Sequence, residues 1–338
     1  MVVIGIDPHK GSHTAVAIDK DETKLGQVRV RSDRRQLEGL LKWAIEFPER
    51  SWAIESANGL GALLSQQLVA AGEDVFDVPP TLSARIRVLA SGKSQKNDEN
   101  DALSAAVAAL RSSRLRSVVA EDHVAVLRLL CNRHKNLTSL HTQAMCRLHA
   151  LLAGIVPGGA GRRLSADQAN AILSGFRPAT AVERARKAQA RDLVGDVRRL
   201  DAQMKASKAS IVEALTGVAT GLGELSGVGP VATCIILAHT GDVARFPTEG
   251  DYASYNGTAP IEASSGPRKR HRFNPRGNRQ LNHAMHIIAF SQLSHPGPGR
   301  DYYERKLAEG KSQKEATRAL KRRISTAVYR QLVADAQR

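Results

Sequence analysis

An α/β domain followed by a mainly helical remainder is the fold class this sequence predicts, and three observations carry the prediction. Short apolar strand-like runs alternate with helical spacing as far as Val78. Beyond Asp122 only helical periodicity persists. The chain of 338 residues also exceeds what one hydrophobic core usually organises. The expected boundaries are 1–115 for the α/β domain, 116–216 for a helical connector and 217–338 for a helical C-terminal domain.

Val2-Val3-Ile4-Gly5-Ile6 is continuously apolar, the pattern of a strand buried on both faces, and it delivers Asp7 at its end. Thr14 to Ile18 and Gly26 to Val30 read as two more strands around the charged turn Asp19-Lys20-Asp21-Glu22, which makes a three-stranded meander. Leu37, Leu40, Leu41 and Ala44 then recur at helical spacing. Trp52-Ala53-Ile54 repeats the apolar strand pattern and delivers Glu55, and a helix from about Gly59 to Ala71 leads to a short strand, Val75-Phe76-Asp77-Val78. Three antiparallel strands followed by alternating helix and strand is the order of the RNase H-like fold. Its acidic residues sit on the first strand, the fourth strand and the last helix.

Lys96-Asn97-Asp98-Glu99-Asn100-Asp101-Ala102 runs into Leu103 to Leu110, an alanine-rich helix former, with Asn97 as N-cap. Asp98 and Asp101, at i and i+3, share one side of that helix. Carboxylates brought together repel unless a hard divalent cation neutralises them, and Mg²⁺ takes oxygen ligands. Such ions serve phosphodiester chemistry by activating the attacking oxygen and stabilising the leaving one. The helical pair alone would also suit the positive end of the helix dipole without a metal. Asp7 and Glu55, each closing a strand, favour Mg²⁺ as the cofactor.

From Asp122 to Leu152 the residues Val126, Leu129, Leu130, Leu137, Leu140, Leu148, Leu151 and Leu152 predict a long helix, stopped by Pro157-Gly158-Gly159. A second helix from about Ala181 to Leu215 carries Leu193, Val197, Leu200, Met204 and Ile211 on three- and four-residue steps, with Ser207 as a polar seam position. This heptad pattern suits packing on the preceding helix and coiled-coil pairing between chains equally. Leu225-Ser226-Gly227-Val228-Gly229-Pro230 opens a helix from Val231 to His239. Gly227 and Gly229 permit a tight hairpin whose backbone approaches a phosphate, with free helical N–H groups aimed at the same place. The segment resembles a helix-hairpin-helix element; a plain turn is the competing reading.

The formal net charge is +16 and the pI near 10.2. From Arg268 to the C-terminus there are 17 Lys and Arg against 5 Asp and Glu, so the polyanionic partner such a balance implies belongs to the C-terminal part. Arg268, Lys269, Arg270, Arg272, Arg276 and Arg279 crowd a stretch rich in turn formers that begins Ser264-Ser265-Gly266-Pro267. A serine beside glycine among cations can act as nucleophile toward a phosphodiester, because the cations stabilise charge on phosphorus. A Ser-Gly turn without chemistry is the alternative. His283 and His286 lack a third ligand at useful spacing and read as helix-surface or core residues. Cys131, Cys146 and Cys234 form no ligand or disulfide pattern and suggest buried thiols in a reducing compartment. No stretch approaches a transmembrane length, and the N-terminal apolar run is too short and lacks a basic leader for a signal peptide, so a soluble cytoplasmic protein is expected.

Several pieces resemble, in order and spacing over nearly the whole chain, the insertion-sequence transposases of the IS one-ten type, also described as bridge-RNA-guided serine recombinases. They are Gly5-Ile6-Asp7-Pro8-His9-Lys10, Ile54-Glu55, Lys96-Asn97-Asp98 with Asp101-Ala102, Gly227-Val228-Gly229-Pro230, Gly241-Asp242-Val243-Ala244-Arg245-Phe246, Ala259-Pro260, Ser265-Gly266 and Arg276-Gly277-Asn278. The resemblance implies a RuvC-like domain whose Asp7, Glu55, Asp98 and Asp101 bind Mg²⁺, a coiled-coil connector, and a transposase domain with a catalytic serine. Ser265 matches that serine best, with Ser264 still open. It further implies a phosphoserine intermediate, strand exchange between donor and target DNA, a structured bridge RNA pairing with both, and homo-oligomers, dimeric and tetrameric, in a nucleoid-associated cytoplasmic setting. Base pairing would then read sequence while Lys and Arg supply backbone affinity. The competing functions are a RuvC-like metal-dependent nuclease or junction resolvase, with the serine only structural, and a nucleic-acid-binding protein without catalysis.

Overall fold

The computed structural model describes residues 1–91, 97–112, 115–262, 271–272, 274 and 277–338. The chain divides into two compact units, Met1–Glu121 and Asp122–Arg338.

In the first unit β1 (Val2–Pro8), β2 (Ser12–Ile18) and β3 (Lys24–Arg31) form an antiparallel meander. Then come α1 (Gln36–Ala44), β4 (Arg50–Glu55), α2 (Ala62–Ala70), β5 (Val75–Val78), α3 (Pro80–Ser91), α4 (Asp98–Arg111) and β6 (Arg116–Ser117). The sheet order is β3-β2-β1-β4-β5-β6, with β4 parallel to both β1 and β5 and β6 antiparallel on β5. The meander and the parallel strands after it follow the expected RNase H-like order. Two elements are additional. β6 is too short to show periodicity, and α3 opens on Pro79-Pro80, a pair that reads as a break although proline suits a first helical turn.

Continuous apolar character in β1 reflects burial on both faces. Ile4 and Ile6, with Ala15, Ala17, Trp52 and Ile54, pack on Leu40 and Ala44 of α1 and Leu64 and Leu68 of α2. Val3, Val16, Ile18 and Ala53 pack on Ala102, Ala105 and Ala106 of α4. With a side-chain period of two, Gly5 and Asp7 share the α4 side with Val3. A Cβ on Gly5 would lie 2.0 Å from the Ala102 carbonyl oxygen and 2.6 Å from the Ala106 nitrogen. The helix therefore rests on the bare backbone of the strand.

The second unit holds α5 (His123–Ala153), α6 (Ala166–Gly175), α7 (Ala181–Leu215), α8 (Pro230–Thr240), α9 (Glu249–Tyr255), the short pair β7 (Ile261–Glu262) and β8 (His271–Arg272), α10 (Arg279–Leu293), α11 (Pro298–Ala308) and α12 (Gln313–Ala336). Both long helices start at side-chain caps, Asp122 for α5 and the Thr180/Glu183 capping box for α7. The apolar stripe of α7 packs within its own chain: Ala190, Val194, Val197 and Leu200 meet Leu137, Ala144, Leu148 and Leu152 of α5 and Ala169 and Leu173 of α6. At the N-terminal end the buried position is Val194 rather than Leu193. A second core joins Leu127, Cys131 and Ile211 to α8, α10 and α12. Cys131 and Cys234 are buried there, their sulfurs 2.8 Å apart, whereas Cys146 is exposed. Of the apolar residues that predict α5, Val126, Leu129 and Leu140 face outward.

Gly5→Ala should destabilise the first unit by about 3 kcal/mol, since the added methyl meets backbone atoms that cannot rotate away. Gly11→Ala, where a Cβ meets nothing within 4 Å, should stay within about 0.5 kcal/mol of the parent. Urea unfolding of both variants checks this; equal stability would show that α4 lies farther from β1.

Candidate functional site

The alternation that turns Gly5 toward α4 also turns Asp7 there, and α4 begins with Asp98. Asn97 caps the helix by accepting the Asn100 N–H at 2.7 Å, which fixes where the first turn starts. His9 stands between the two carboxylates, its Nδ1 3.4 Å from Asp7 Oδ2 and its Nε2 3.8 Å from Asp98 Oδ1. Arg29 of β3 reaches Asp98 Oδ2 at 3.5 Å. One ligand atom each from Asp7, His9 and Asp98 lie within 4.8 Å of one another.

The other two acidic residues stand close by in different settings. Register pairs Ile6 with Ile54, so the next residues along, Asp7 and Glu55, are neighbours on adjacent parallel strands and face the same side. Beyond Glu55 the chain makes a strained turn. Ser56 has φ 56°, a conformation that costs a non-glycine residue about 1–3 kcal/mol. Asp77 holds that turn by accepting the Ala57 N–H at 2.9 Å and the Asn58 Nδ2 at 2.8 Å, which sets the end of β4. Asp101 is buried and ion-paired with Arg87 of α3. Among the described residues neither Glu55 nor Asp101 joins the close group of Asp7, His9 and Asp98.

Two carboxylates and one imidazole make a donor set of mostly hard oxygen, which suits Mg²⁺ or Mn²⁺. Protein cations share the neutralising task here, since Arg29 serves Asp98 and Arg87 serves Asp101. His9 stands outside the acidic set expected from the sequence, although the spacing Asp7-Pro8-His9 carries its signal, because residues two apart on an extended chain share a face. Arg87 was hidden with α3.

In the second unit Ser264, Ser265, Arg268, Lys269, Arg270 and Arg276 lie outside the described residues. The described residues around them are tied to one another. Ile261–Glu262 pairs with His271–Arg272. Gly257, at φ 73°, lies against Gly277, where a Cβ would fall 2.5 Å from the Gly257 Cα. Asn278 N–H donates to the Tyr255 carbonyl at 2.6 Å, and Asn282 Nδ2 donates to the Asn256 and Gly257 carbonyls at 3.0 Å each. Lys321 Nζ donates to Asn282 Oδ1 at 2.6 Å, and burial pushes that ammonium down to about 8. Arg279 opens α10 and is exposed.

Gly227, at φ 77°, abuts α10, where a Cβ would lie 3.1 Å from the Ile288 carbonyl oxygen. Gly229 precedes Pro230 at the start of α8 with open space where a side chain would go. A cavity of about 580 Å³ in front of this hairpin is lined by Lys208, Gly227, Gly229, Ile287 and Ser291 among others. None of the described helices is long and apolar enough to cross a membrane.

Residues 4–157 match the family model of the DEDD transposases of the IS110 type, and residues 219–304 match the transposase model of the IS116/IS110/IS902 family. A 44.8 kDa protein of insertion element IS116 from Streptomyces clavuligerus is 30% identical over 369 aligned residues, spanning 95% of this chain and 92% of its own. A 42 kDa protein of insertion element IS900 from Mycobacterium paratuberculosis is 26% identical over 372, spanning 94% and 92%. Among solved structures, T. thermophilus RuvC in complex with a Holliday junction substrate aligns at 19% identity with a TM-score of 0.28, covering 35% of this chain and 99% of that one.

Asp7→Asn should lower Mn²⁺ affinity at least about tenfold, a loss near 1.4 kcal/mol, while Asp21→Asn on the exposed turn leaves it unchanged. Calorimetric titration of the metal into each variant measures this. Equal affinity in all three proteins would remove the site.

Proposed function

The chain belongs to the IS110-type family of insertion-element transposases, DNA-cutting enzymes, and from that premise we propose that it cuts and rejoins DNA through a covalent phosphoserine, with Ser265 as the nucleophile. The observation that supports the acidic half of this reading is the meeting of Asp7, His9 and Asp98 where β1 ends and α4 begins. These residues, with Glu55 and Asp101, would hold a divalent ion, Mg²⁺ in our reading, whose chemistry would be Lewis-acid charge at a scissile phosphate.

The protein's own groups do the rest. Asp7 and Asp98 orient on the rigid end of a buried strand and on a capped helix turn, so their positions cost nothing to organise when DNA arrives. The Ser265 hydroxyl forms an Oγ–P bond as the bond from phosphorus to a deoxyribose oxygen breaks, and the proton lost by serine ends on that departing oxygen. The reverse attack by a new strand end restores the serine and joins the DNA. Arg268, Lys269, Arg270, Arg272, Arg276 and Arg279 stabilise charge on the phosphorus and bind backbone. The hairpin Gly227-Val228-Gly229 offers backbone N–H groups to a further phosphate.

The finer organisation follows the same reading. Residues 1–115 carry the acidic centre, 116–216 form a helical connector, and 217–338 carry the serine. A structured bridge RNA reads donor and target by base pairing, and dimers or tetramers bring an acidic centre and a serine to one phosphate. A second reading rests on the acidic group alone: metal-dependent hydrolysis, as in a nuclease or junction resolvase, with the serine outside the chemistry.

Incubation of the protein with RNA and DNA, then denaturation, separates the two. We expect a protein-linked DNA that Ser265→Ala abolishes and Ser264→Ala preserves. Asp7→Asn should cut its yield at least about a hundredfold, in line with losing an electrostatic catalytic group. Cleavage retained in both serine variants would turn the reading to hydrolysis.

A further inference from the structure

The outward face of α10 carries an exposed aromatic side chain. Phe290 is 55% exposed and Ile287 38% exposed, in a chain with only 6 Phe, 5 Tyr and 2 Trp. The other described phenylalanines, Phe47, Phe76, Phe176 and Phe246, are buried or half-buried. His283, His286, Ile287 and Phe290 fall at i, i+3, i+4 and i+7, one stripe along the helix. The His286 ring meets the Phe290 ring edge-on, with centroids 4.6 Å apart.

Cations flank this stripe from the neighbouring helices. Lys321 of α12 is tied to Asn282, the residue before His283. Partial burial, with the charges of Lys135 of α5 and of Lys321, holds His283 below the usual imidazole range. Burial, Lys321 and His283 do the same to His286. Farther along α5, Arg128 donates to the Ala238 carbonyl at 3.0 and 3.2 Å, beside His239. At the other end Ile287 lines the cavity before the Gly227-Val228-Gly229 hairpin, where Lys208 adds another ammonium.

A solitary exposed aromatic is ordinary. An aromatic pair set between lysines on one stripe matches a more specific ligand. Bases stack on aromatic faces only when they are unpaired, because a duplex hides those faces, and the phosphates between successive bases seek cations. We propose that the His283, His286 and Phe290 stripe, flanked by Lys135 and Lys321, binds an unpaired stretch of nucleic acid, with a base stacked on Phe290 and the adjoining phosphates at the lysines. The proposal rests on the transposase reading only for its choice of polymer, and its test requires no strand cleavage.

The full chain is titrated against a labelled single-stranded oligonucleotide carrying one 2-aminopurine, against the same sequence as RNA, and against its DNA duplex. Phe290→Ala should weaken single-strand binding about tenfold and abolish the fluorescence change of the stacked base, with duplex affinity within about twofold of the parent. Phe290→Trp should restore both. Lys135→Gln should weaken binding and lower the salt slope by about one. A preference for either single strand upholds the proposal and identifies the strand. Equal losses on single strand and duplex, or no loss in Phe290→Ala, would overturn it. Every arm reads binding without strand cleavage, so a failure of the covalent mechanism is told apart from a failure of this site.

Discussion

The distance between β1 and α4 is set by atoms that are missing. Gly5 carries no Cβ, and the face of α4 turned toward it offers Ala102 and Ala106, so helix backbone approaches strand backbone without an intervening side chain. That approach brings Asp98, at the head of the helix, to Asp7, at the end of the strand, and it permits His9 to reach both carboxylates. A larger residue at any of the three small positions would lift the helix and separate the acidic pair. Packing at the core therefore sets the geometry at the surface.

Acidic groups so close together need compensation, and the chain distributes it. Arg29 reaches Asp98 from the meander, and Arg87 holds Asp101 in the interior. The exposed pairs contribute little to stability, while the buried Arg87–Asp101 pair chiefly prevents the cost of a lone buried charge. Asp98 remains 40% exposed in its side chain, so one carboxylate stays accessible to a ligand from solvent while its neighbour belongs to the core. One helix turn thus carries a fixed member and an approachable member of the acidic set.

The second unit uses small residues in a different way. Gly257 and Gly277 bring two chain segments into backbone contact, and the amide of Asn282, itself held by Lys321, ties down the carbonyls at that junction. Nearby, Gly227 lets the hairpin before α8 press on the backbone of α10. Glycines and amides anchor the two features of this unit that carry the nucleic-acid reading.

Much of the fold was legible because burial writes itself into periodicity. The apolar runs of β1 and β4, the meander, the cap at Asn97 and the long helix Ala181–Leu215 follow from local pattern and capping chemistry, and so does the placing of Asp7 and Glu55 at strand ends. The serine segment and its arginines were named from composition and resemblance alone. The meeting of His9 with Asp98 and of Arg87 with Asp101 was not legible, because a contact between residues distant along the chain leaves no periodic trace in either. By itself the sequence determined which side chains exist and which face of each element they occupy; tertiary packing decided which faces meet, since the separation of β1 and α4 is a property of both backbones together.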